Sequence, residues 1–231
     1  MLLEEQFTDS KIFGGNISED HKLLAVIYAS YIEIYINKTL FDTLNLRYIR
    51  DAVFSADNRF IAFEGENRTE LYSVDYKQCV KRIITGHNFC RGFFQADRYY
   101  YNSPTKAKQI FSTPSESDFC FVDLNSLKKT KVITIAGKFY HLKADGEYAV
   151  LAGFDSAQDF EDDKKDQVVL YKIGLETPVK DPAESYRISS SHNLGIAWSE
   201  FTKGLYWHKG CNNPNYLSAH LEQGTLFRIT D

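Results

Sequence analysis

FSADNRFIAF occupies residues 54–63, and a looser copy, ISEDHKLLAV, occupies residues 17–26. Both run apolar residue, Ser, any residue, Asp, polar residue, basic residue, apolar stretch. Asp, Asn and Gly tolerate the left-handed or bridging backbone of a hairpin. The phrase therefore predicts a strand, a tight turn shaped by Asp20 or Asp57, and a second strand. It recurs more loosely as FQADRYYYN, LKADGEYAVL and WSEFTKGLYW. The anchors Ser18, Ser55, Gln95, Lys143 and Ser199 fall roughly 40 to 55 residues apart, a period that points to a propeller or solenoid. The stretches before Ser18 and after Ser199 together match one such interval.

Each unit repeats the same inner order. The second strands read KLLAVIY, RFIAFEG, YAVLAG and GLYWHK, and the third strands IEIYIN, ELYSVD, FCFVDL, VVLYKI and LFRITD. A fourth strand, such as VKRIITG, KVITIAG or YRISSS, leads into the next unit. Short alternating runs with turns between them, and almost no helical period, predict a four-stranded antiparallel unit repeated five times. Residues 1–231 are read as a single domain.

FSADNRFIAF resembles the inner hairpin of WD-repeat and related bacterial propeller repeats, whose consensus is close to Phe-Ser-Pro-Asp-Gly-Lys, two apolar residues and Ala. Thr85-Gly86-His87 matches the Gly-His dipeptide of WD repeats once. No unit has a Trp-Asp pair; the corresponding strand ends carry Val74-Asp75, Val122-Asp123 and Thr230-Asp231. The resemblance spans nearly the whole chain and implies an all-β, five-bladed propeller. It implies no activity, because such hairpins serve propellers of very different function. A ring must be closed. TLFRITD aligns with ELYSVD, so it is expected as a third strand, with residues 2–7 supplying the fourth. The alternative takes NYLSAHL as third strand and TLFRIT as fourth.

Apolar residues make up 43% of the chain, with 17 Phe and 15 Tyr against only 5 Pro, a balance that favours a sheet-rich folded protein. Net charge is −4, which argues against a dedicated nucleic-acid or anionic-membrane binder. MLLEEQFTDSK lacks the basic and apolar regions of a signal peptide, and no apolar run approaches the ~18 residues of a membrane span. Cys79, Cys90, Cys120 and Cys211 show no paired spacing and are expected to be buried free thiols in a reducing compartment. N-x-S/T triplets at Asn16, Asn37 and Asn67 would matter only in a secreted chain. A soluble cytoplasmic protein is the expectation.

The units differ in the gap between second and third strands. It is short in the first unit (ASY), modest in the second (EGENRT) and long in the third (about 102–118), fourth (about 154–167) and fifth (about 209–224). In a propeller such gaps lie on one face, and long loops in compact domains are often functional. The fourth gap, FDSAQDFEDDKKDQ, carries Asp155, Asp159, Glu161, Asp162, Asp163 and Asp166 against Lys164 and Lys165. An acidic patch steers a basic partner by long-range attraction, though a charge run is more often simply a solvated hairpin tip. It lacks the alternating oxygens and Gly turn of a calcium loop. The third gap holds Ile110-Phe111 in a polar setting, which suits a docking anchor or a segment folded back on the body.

Catalytic patterns are weak. Glycoside hydrolysis needs two carboxylates facing each other, and Asp51 is the only acid near the start of an innermost strand. Arg50, Arg91, Lys138 and His141 give those strands a basic tendency that suits an anion, or rim charges bonded to backbone carbonyls. His208, Cys211, His220 and His192 make the best metal candidates, but their spacing is not that of a zinc site. No G-x-S-x-G or phosphate loop occurs, and Phe13-Gly14-Gly15-Asn16 reads as a crowded inner strand. Lys128, Lys129 and Lys131 read as edge charges that discourage sheet addition.

These readings predict a non-enzymatic propeller, without cofactor or metal, that binds another protein through the loop-rich face of blades 3–5. Ile110, Phe111, Phe160 and Tyr216 are the expected anchors, and the acids of 155–166 the expected steering charges. Size and charge suit an inhibitor or immunity protein against a basic partner. A lectin-like propeller is the alternative, and a divergent hydrolase ranks below it.

Overall fold

The computed structural model describes residues 12–65, 67–85, 92–104, 116–136, 138–145, 147–154, 167–175, 180, 184–189, 194–199, 204–209 and 226–228. Strands β1 (Ile12–Ile17), β2 (Leu23–Tyr28), β3 (Ile32–Ile36) and β4 (Thr39–Leu44) form the first sheet in that order. Strands β5 (Ile49–Phe54), β6 (Phe60–Gly65), β7 (Arg68–Ser73) and β8 (Gln78–Ile84) form the second. In the third sheet β9 (Phe93–Gln95), β10 (Arg98–Pro104), β11 (Glu116–Asp123) and β12 (Lys129–Ala136) again lie in chain order. The fourth holds β13 (Lys138–Asp145), β14 (Tyr148–Phe154), β15 (Gln167–Gly174) and β16 (Glu184–Ser189). The fifth holds β17 (Leu194–Ser199), β18 (Gly204–Lys209) and β19 (Leu226–Arg228). No helix occurs among the described residues, and no sheet closes on itself.

The repeated phrase builds its hairpin through one serine. Ser18 Oγ accepts the Leu23 N–H at 2.9 Å and donates to Asp20 Oδ1 at 2.8 Å. Ser55 Oγ accepts the Phe60 N–H at 2.9 Å and donates to Asp57 Oδ1 at 2.7 Å. The same carboxylate oxygens accept the N–H of Lys22 at 3.2 Å and of Arg59 at 3.1 Å. One residue after each Asp the backbone turns left-handed, with φ of 61° at His21 and 62° at Asn58. Both serines are buried, so each Oγ replaces water for a strand N–H that would otherwise be stranded.

The tight hairpin expected in each unit is also present at Gln95 and Lys143, in a shorter form. In the third sheet Gln95 pairs directly with Arg98, leaving a two-residue turn with φ of 48° at Ala96. In the fourth sheet Lys143 pairs with Val150 and Asp145 with Tyr148, so that turn also spans two residues. Neither anchor is a serine, and each hairpin is closed by backbone pairing across a two-residue turn. A different bond is kept in four sheets. The carbonyl before the second strand accepts the N–H that follows the third strand: Lys22 from Asn37 (2.9 Å), Arg59 from Val74 (2.9 Å), Asp97 from Leu124 (2.8 Å) and Glu147 from Leu175 (3.0 Å).

The chain divides into two compact units, Met1–Ser103 with Phe121–Thr130, and Pro104–Cys120 with Lys131–Asp231. In the first, Ala25, Ile27, Ile32 and Ile34 of the first sheet pack with Ala52, Ile61, Phe63 and Tyr72 of the second. All eight are fully buried. At roughly 1.5–3 kcal/mol for each large apolar side chain removed from water, this is the main adhesive between the two sheets. β6 is buried along its whole length, which accounts for the unbroken apolar run FIAF. The aromatic excess has a place as well. Tyr99, Tyr100 and Tyr101 are all buried, with Phe93 stacked on Tyr100 at 5.1 Å between ring centres.

Among the four cysteines, Cys120 is buried as expected, whereas Cys79 is exposed. Its strand, β8, lies at the outer edge of the second sheet, and only Ile83 on it is buried. Cys90 and Cys211 lie outside the described residues.

Candidate interaction surface

The predicted partner-binding residues Ile110, Phe111, Asp155, Asp159, Phe160, Glu161, Asp162, Asp163, Asp166 and Tyr216 lie outside the described residues, as do Arg91, His192, Cys211 and His220. The strand bounds nonetheless show where chain length accumulates. Second and third strands are joined across residues 29–31 and 66–67 in the first two sheets, and across 105–115, 155–166 and 210–225 in the other three. The strand frame stays constant while this one connection grows.

Several polar groups in the first unit join one sheet to the next. Asn16 Nδ2 donates to the Ala52 carbonyl at 2.9 Å, Asn58 Nδ2 to Asp20 Oδ2 at 2.8 Å, and the Tyr72 hydroxyl to Asp42 Oδ2 at 2.6 Å. Lys77 places its ammonium 4.1 Å from the centre of the Phe41 ring. Burial, reinforced by Asp42, pushes the Tyr72 hydroxyl far above its usual range, so it remains a donor at any ordinary pH.

Two buried carboxylates went unnoticed in the sequence. Glu64 accepts the Gly92 N–H at 2.7 Å and the Tyr99 hydroxyl at 2.6 Å. Glu70 is paired with Arg82 at 2.6 Å and Arg68 at 3.3 Å. Phe63 lies directly opposite Glu70 and Glu64 is the next residue, so alternation sends the two acids to opposite faces of the sheet. The signal available in the sequence was an acid inside the apolar run FIAFEG and another beginning ELYSV. Asp51 turns Oδ1 to the Ala52 N–H at 2.7 Å. Glu33 receives the hydroxyls of Tyr28 at 3.0 Å and Tyr35 at 2.7 Å. Burial and that carboxylate push Tyr35 up to about 12. Among the described residues no three His, Cys, Asp or Glu side chains gather as metal ligands, and no helix is long and apolar enough to cross a membrane.

Gly15 bears out the reading of a crowded inner strand, since a Cβ there would stand 2.6 Å from the Ala25 carbonyl. Lys128, Lys129 and Lys131 occupy the turn before β12 and that outer strand itself, where Lys131 reaches Asp118 at 3.6 Å and Lys129 lies over the Tyr101 ring at 5.5 Å. β19 pairs with β18 through Tyr206↔Arg228, Trp207↔Phe227 and His208↔Leu226. That makes the C-terminal strand the third of its sheet and removes the alternative in which it is fourth. Residues 2–7 lie outside the described residues.

Repeated antiparallel sheets, each taken up in chain order and four of them holding the recurring carbonyl bond, have counterparts among solved structures. The fold is that of WD-repeat β-propellers. The WD40 repeats of RRP9 superpose with a TM-score of 0.55 at 11% identity, covering 88% of this chain and 58% of that one. The C-terminal WD40 domain of Sif2 gives 0.56 at 12%, covering 95% and 57%. Hydrazine synthase of Kuenenia stuttgartiensis gives 0.61 at 13%, covering 88% and 58%. The chain thus spans less than two thirds of each of these propeller chains, and the likeness is one of fold alone. No family model matches the sequence, and no curated protein matches it either.

Large side chains exposed on this WD-repeat-like frame are concentrated at strand ends. Phe13 is 65% exposed, Tyr48 76% and Tyr76 71%. In the first two sheets the inner strand carries an extra residue at its start. Ile12 pairs with Tyr28 and Gly14 with Ile27, leaving Phe13 unmatched; Ile49 pairs with Gly65 and Asp51 with Glu64, leaving Arg50 unmatched. Such bulges re-aim a side chain away from the ladder, and both Phe13 and Arg50 are exposed.

Proposed function

We propose that the chain is a non-enzymatic five-bladed propeller that binds another protein through the connections between second and third strands of its third, fourth and fifth sheets. The observation that carries this reading is the growth of that one connection, from residues 29–31 and 66–67 to 105–115, 155–166 and 210–225, on a frame that otherwise repeats. Long connections on a rigid scaffold are where binding function concentrates. Ile110, Phe111, Phe160 and Tyr216 are the anchors, and the acids of 155–166 attract a basic partner and raise the rate of encounter. The fifth sheet has three strands among the described residues, and this reading assigns its fourth, beside β19, to residues 2–7. An inhibitor or immunity protein, working in the cytoplasm against a basic toxin or nuclease, fits this size and charge.

The fold itself carries no activity, since its neighbours include both a hydrazine synthase and the WD40 repeats of RRP9. Inequality of the five connections disfavours a lectin, which would repeat equivalent pockets around the ring. Cross-linking in cells of origin, followed by mapping of cross-linked peptides, tests the proposal. Cross-links to one protein are expected in 105–115, 155–166 and 210–225, and should weaken when the acids of 155–166 become Asn and Gln. Cross-links concentrated elsewhere, or unaffected by that neutralisation, would overturn it.

A further inference from the structure

On three edge strands of the first two sheets, a side-chain oxygen takes the N–H of the residue that follows it. Asn16 Oδ1 accepts from Ile17 at 2.9 Å on β1, Asp42 Oδ1 from Thr43 at 2.8 Å on β4, and Asp51 Oδ1 from Ala52 at 2.7 Å on β5. Along an antiparallel strand, successive N–H groups point alternately toward the neighbouring strand and away from it. An outward N–H is the one left for a side chain, and it is also the donor that a further strand would take.

β4 differs in sequence from the outer strands of the next three sheets. β8 carries Lys81 and Arg82, β12 carries Lys129 and Lys131, and β16 carries Arg187. TLFDTL of β4 has no basic residue and no proline, the usual means of keeping an edge from pairing. Leu40 on it is 51% exposed, and Thr39 and Thr43 are exposed as well, a composition suited to strand pairing. In place of lysines, the second sheet holds β4 at two successive residues. The Tyr72 hydroxyl donates to Asp42 Oδ2 at 2.6 Å and so fixes the carboxylate whose Oδ1 occupies the Thr43 N–H. Ile34 pairs with Asp42 and Tyr35 with Leu40, so Phe41 is the extra residue of a bulge, and the Lys77 ammonium lies 4.1 Å from its ring centre. The bulge twists the edge away from a partner strand, and the carboxylate removes a donor from it.

We infer that Tyr72, Asp42 and Lys77 form a clamp that closes the outer edge of the first sheet to strand addition, and that the strand it excludes is β4 of a second copy of this chain. Two identical edges can pair antiparallel about a twofold axis, the simplest association open to one sequence. A released Thr43 N–H supplies a donor for that pair. The clamp lies on β4 and β7 with the turn after β7, away from residues 105–115, 155–166 and 210–225 in sequence, and it does not rest on the function proposed above.

Sedimentation equilibrium of the full chain tests the clamp. Asp42→Ala frees the Thr43 N–H and should tighten self-association about tenfold or more over the parent. Asp42→Asn keeps an oxygen for that N–H and should stay near the parent. Tyr72→Phe leaves the carboxylate unheld and should fall between the two. Adding Thr43→Pro to Asp42→Ala removes the N–H itself, which an edge strand tolerates, and association should return to the parent level. Association caused by general loss of stability would persist in that double variant, because proline restores no packing. Should Asp42→Ala fail to fold, Tyr72→Phe with and without Thr43→Pro makes the same comparison. Self-association unchanged by the first substitution, or undiminished by Thr43→Pro, would overturn the inference. Cross-links between the β4 strands of parent chains would overturn it as well.

Discussion

Asn58 donates its side-chain N–H to Asp20 Oδ2 at 2.8 Å, so the second copy of the repeated turn is bonded to the first. Asn58 itself sits at φ 62°, and its role divides into two separable parts, backbone and side chain. Asn58→Gly deletes the bond but keeps the conformation; Asn58→Ala deletes the bond and strains the turn by ~1 kcal/mol. Urea unfolding should rank the alanine variant clearly below the glycine variant. The reverse order would deny the left-handed turn any weight.

Removing Ser55 Oγ leaves the Phe60 N–H without the bond seen at 2.9 Å, inside a buried site. Ser55→Ala should destabilise the chain by about 1–3 kcal/mol, the cost of an unsatisfied buried donor. Ser18→Ala should behave alike, because its bonds to Leu23 and Asp20 match.

Acid should weaken the fold through the same turns. Bonds from Lys22 and Ser18 hold the Asp20 carboxyl well below the usual range. At Asp57 burial pushes upward, but the Ser55 hydroxyl, the Arg59 N–H and the Arg59 charge outweigh it and hold the group below. A carboxylate depressed in the folded state adds stability at pH values above its unfolded pKa of about 3.9 and loses it as pH falls through the folded value. Stability should therefore decline below about pH 4. Ser55→Ala brings the folded value of Asp57 closer to the unfolded one, so the loss of stability between neutral pH and acid should be smaller than in the parent. An unchanged loss would disconnect Asp57 from the serine.

Tyr72 and Asp42 offer a test of sheet-to-sheet coupling. Tyr72→Phe removes a 2.6 Å bond between β7 and β4 and should cost about 1–2 kcal/mol in denaturant unfolding. With Asp42→Asn in a double-mutant cycle, the pair should show a coupling above about 0.5 kcal/mol. Additive effects would mean the bond contributes nothing of its own.

Cys79 should react slowly despite its exposure. Partial burial of the sulfur and then the negative field of Glu70 push its thiol up to about 11. Only the thiolate attacks, so alkylation at neutral pH should be slow and should rise about tenfold per pH unit toward that value. Rates already on a plateau at pH 8 would contradict this.

The repeated phrase was legible because its rules are local. A Ser-x-Asp turn followed by an apolar run needs only a few neighbouring residues to fold, so Ser18 and Ser55 revealed their hairpins in advance. The looser copies marked hairpins too, although the serine chemistry is absent from them. Gln95 and Lys143 align with the serines in sequence but pair in a tighter turn. The growing connections could also be read directly, since strand lengths leave the surplus residues nowhere else.

Other features depended on partners distant in the chain. FIAFEG contains a glutamate bonded by Gly92 and Tyr99, and nothing within the phrase indicates that Glu64 is buried. Cys79 became exposed because β8 lies at a sheet edge, and Tyr48 became a strained, open side chain because Gly65 and Arg68 hold its loop. Sequence alone determined the period, the turn and the strand order, each governed by backbone chemistry over a few residues. Only tertiary structure decided which polar groups are buried and which aromatics face water, because burial depends on which sheet lies against which.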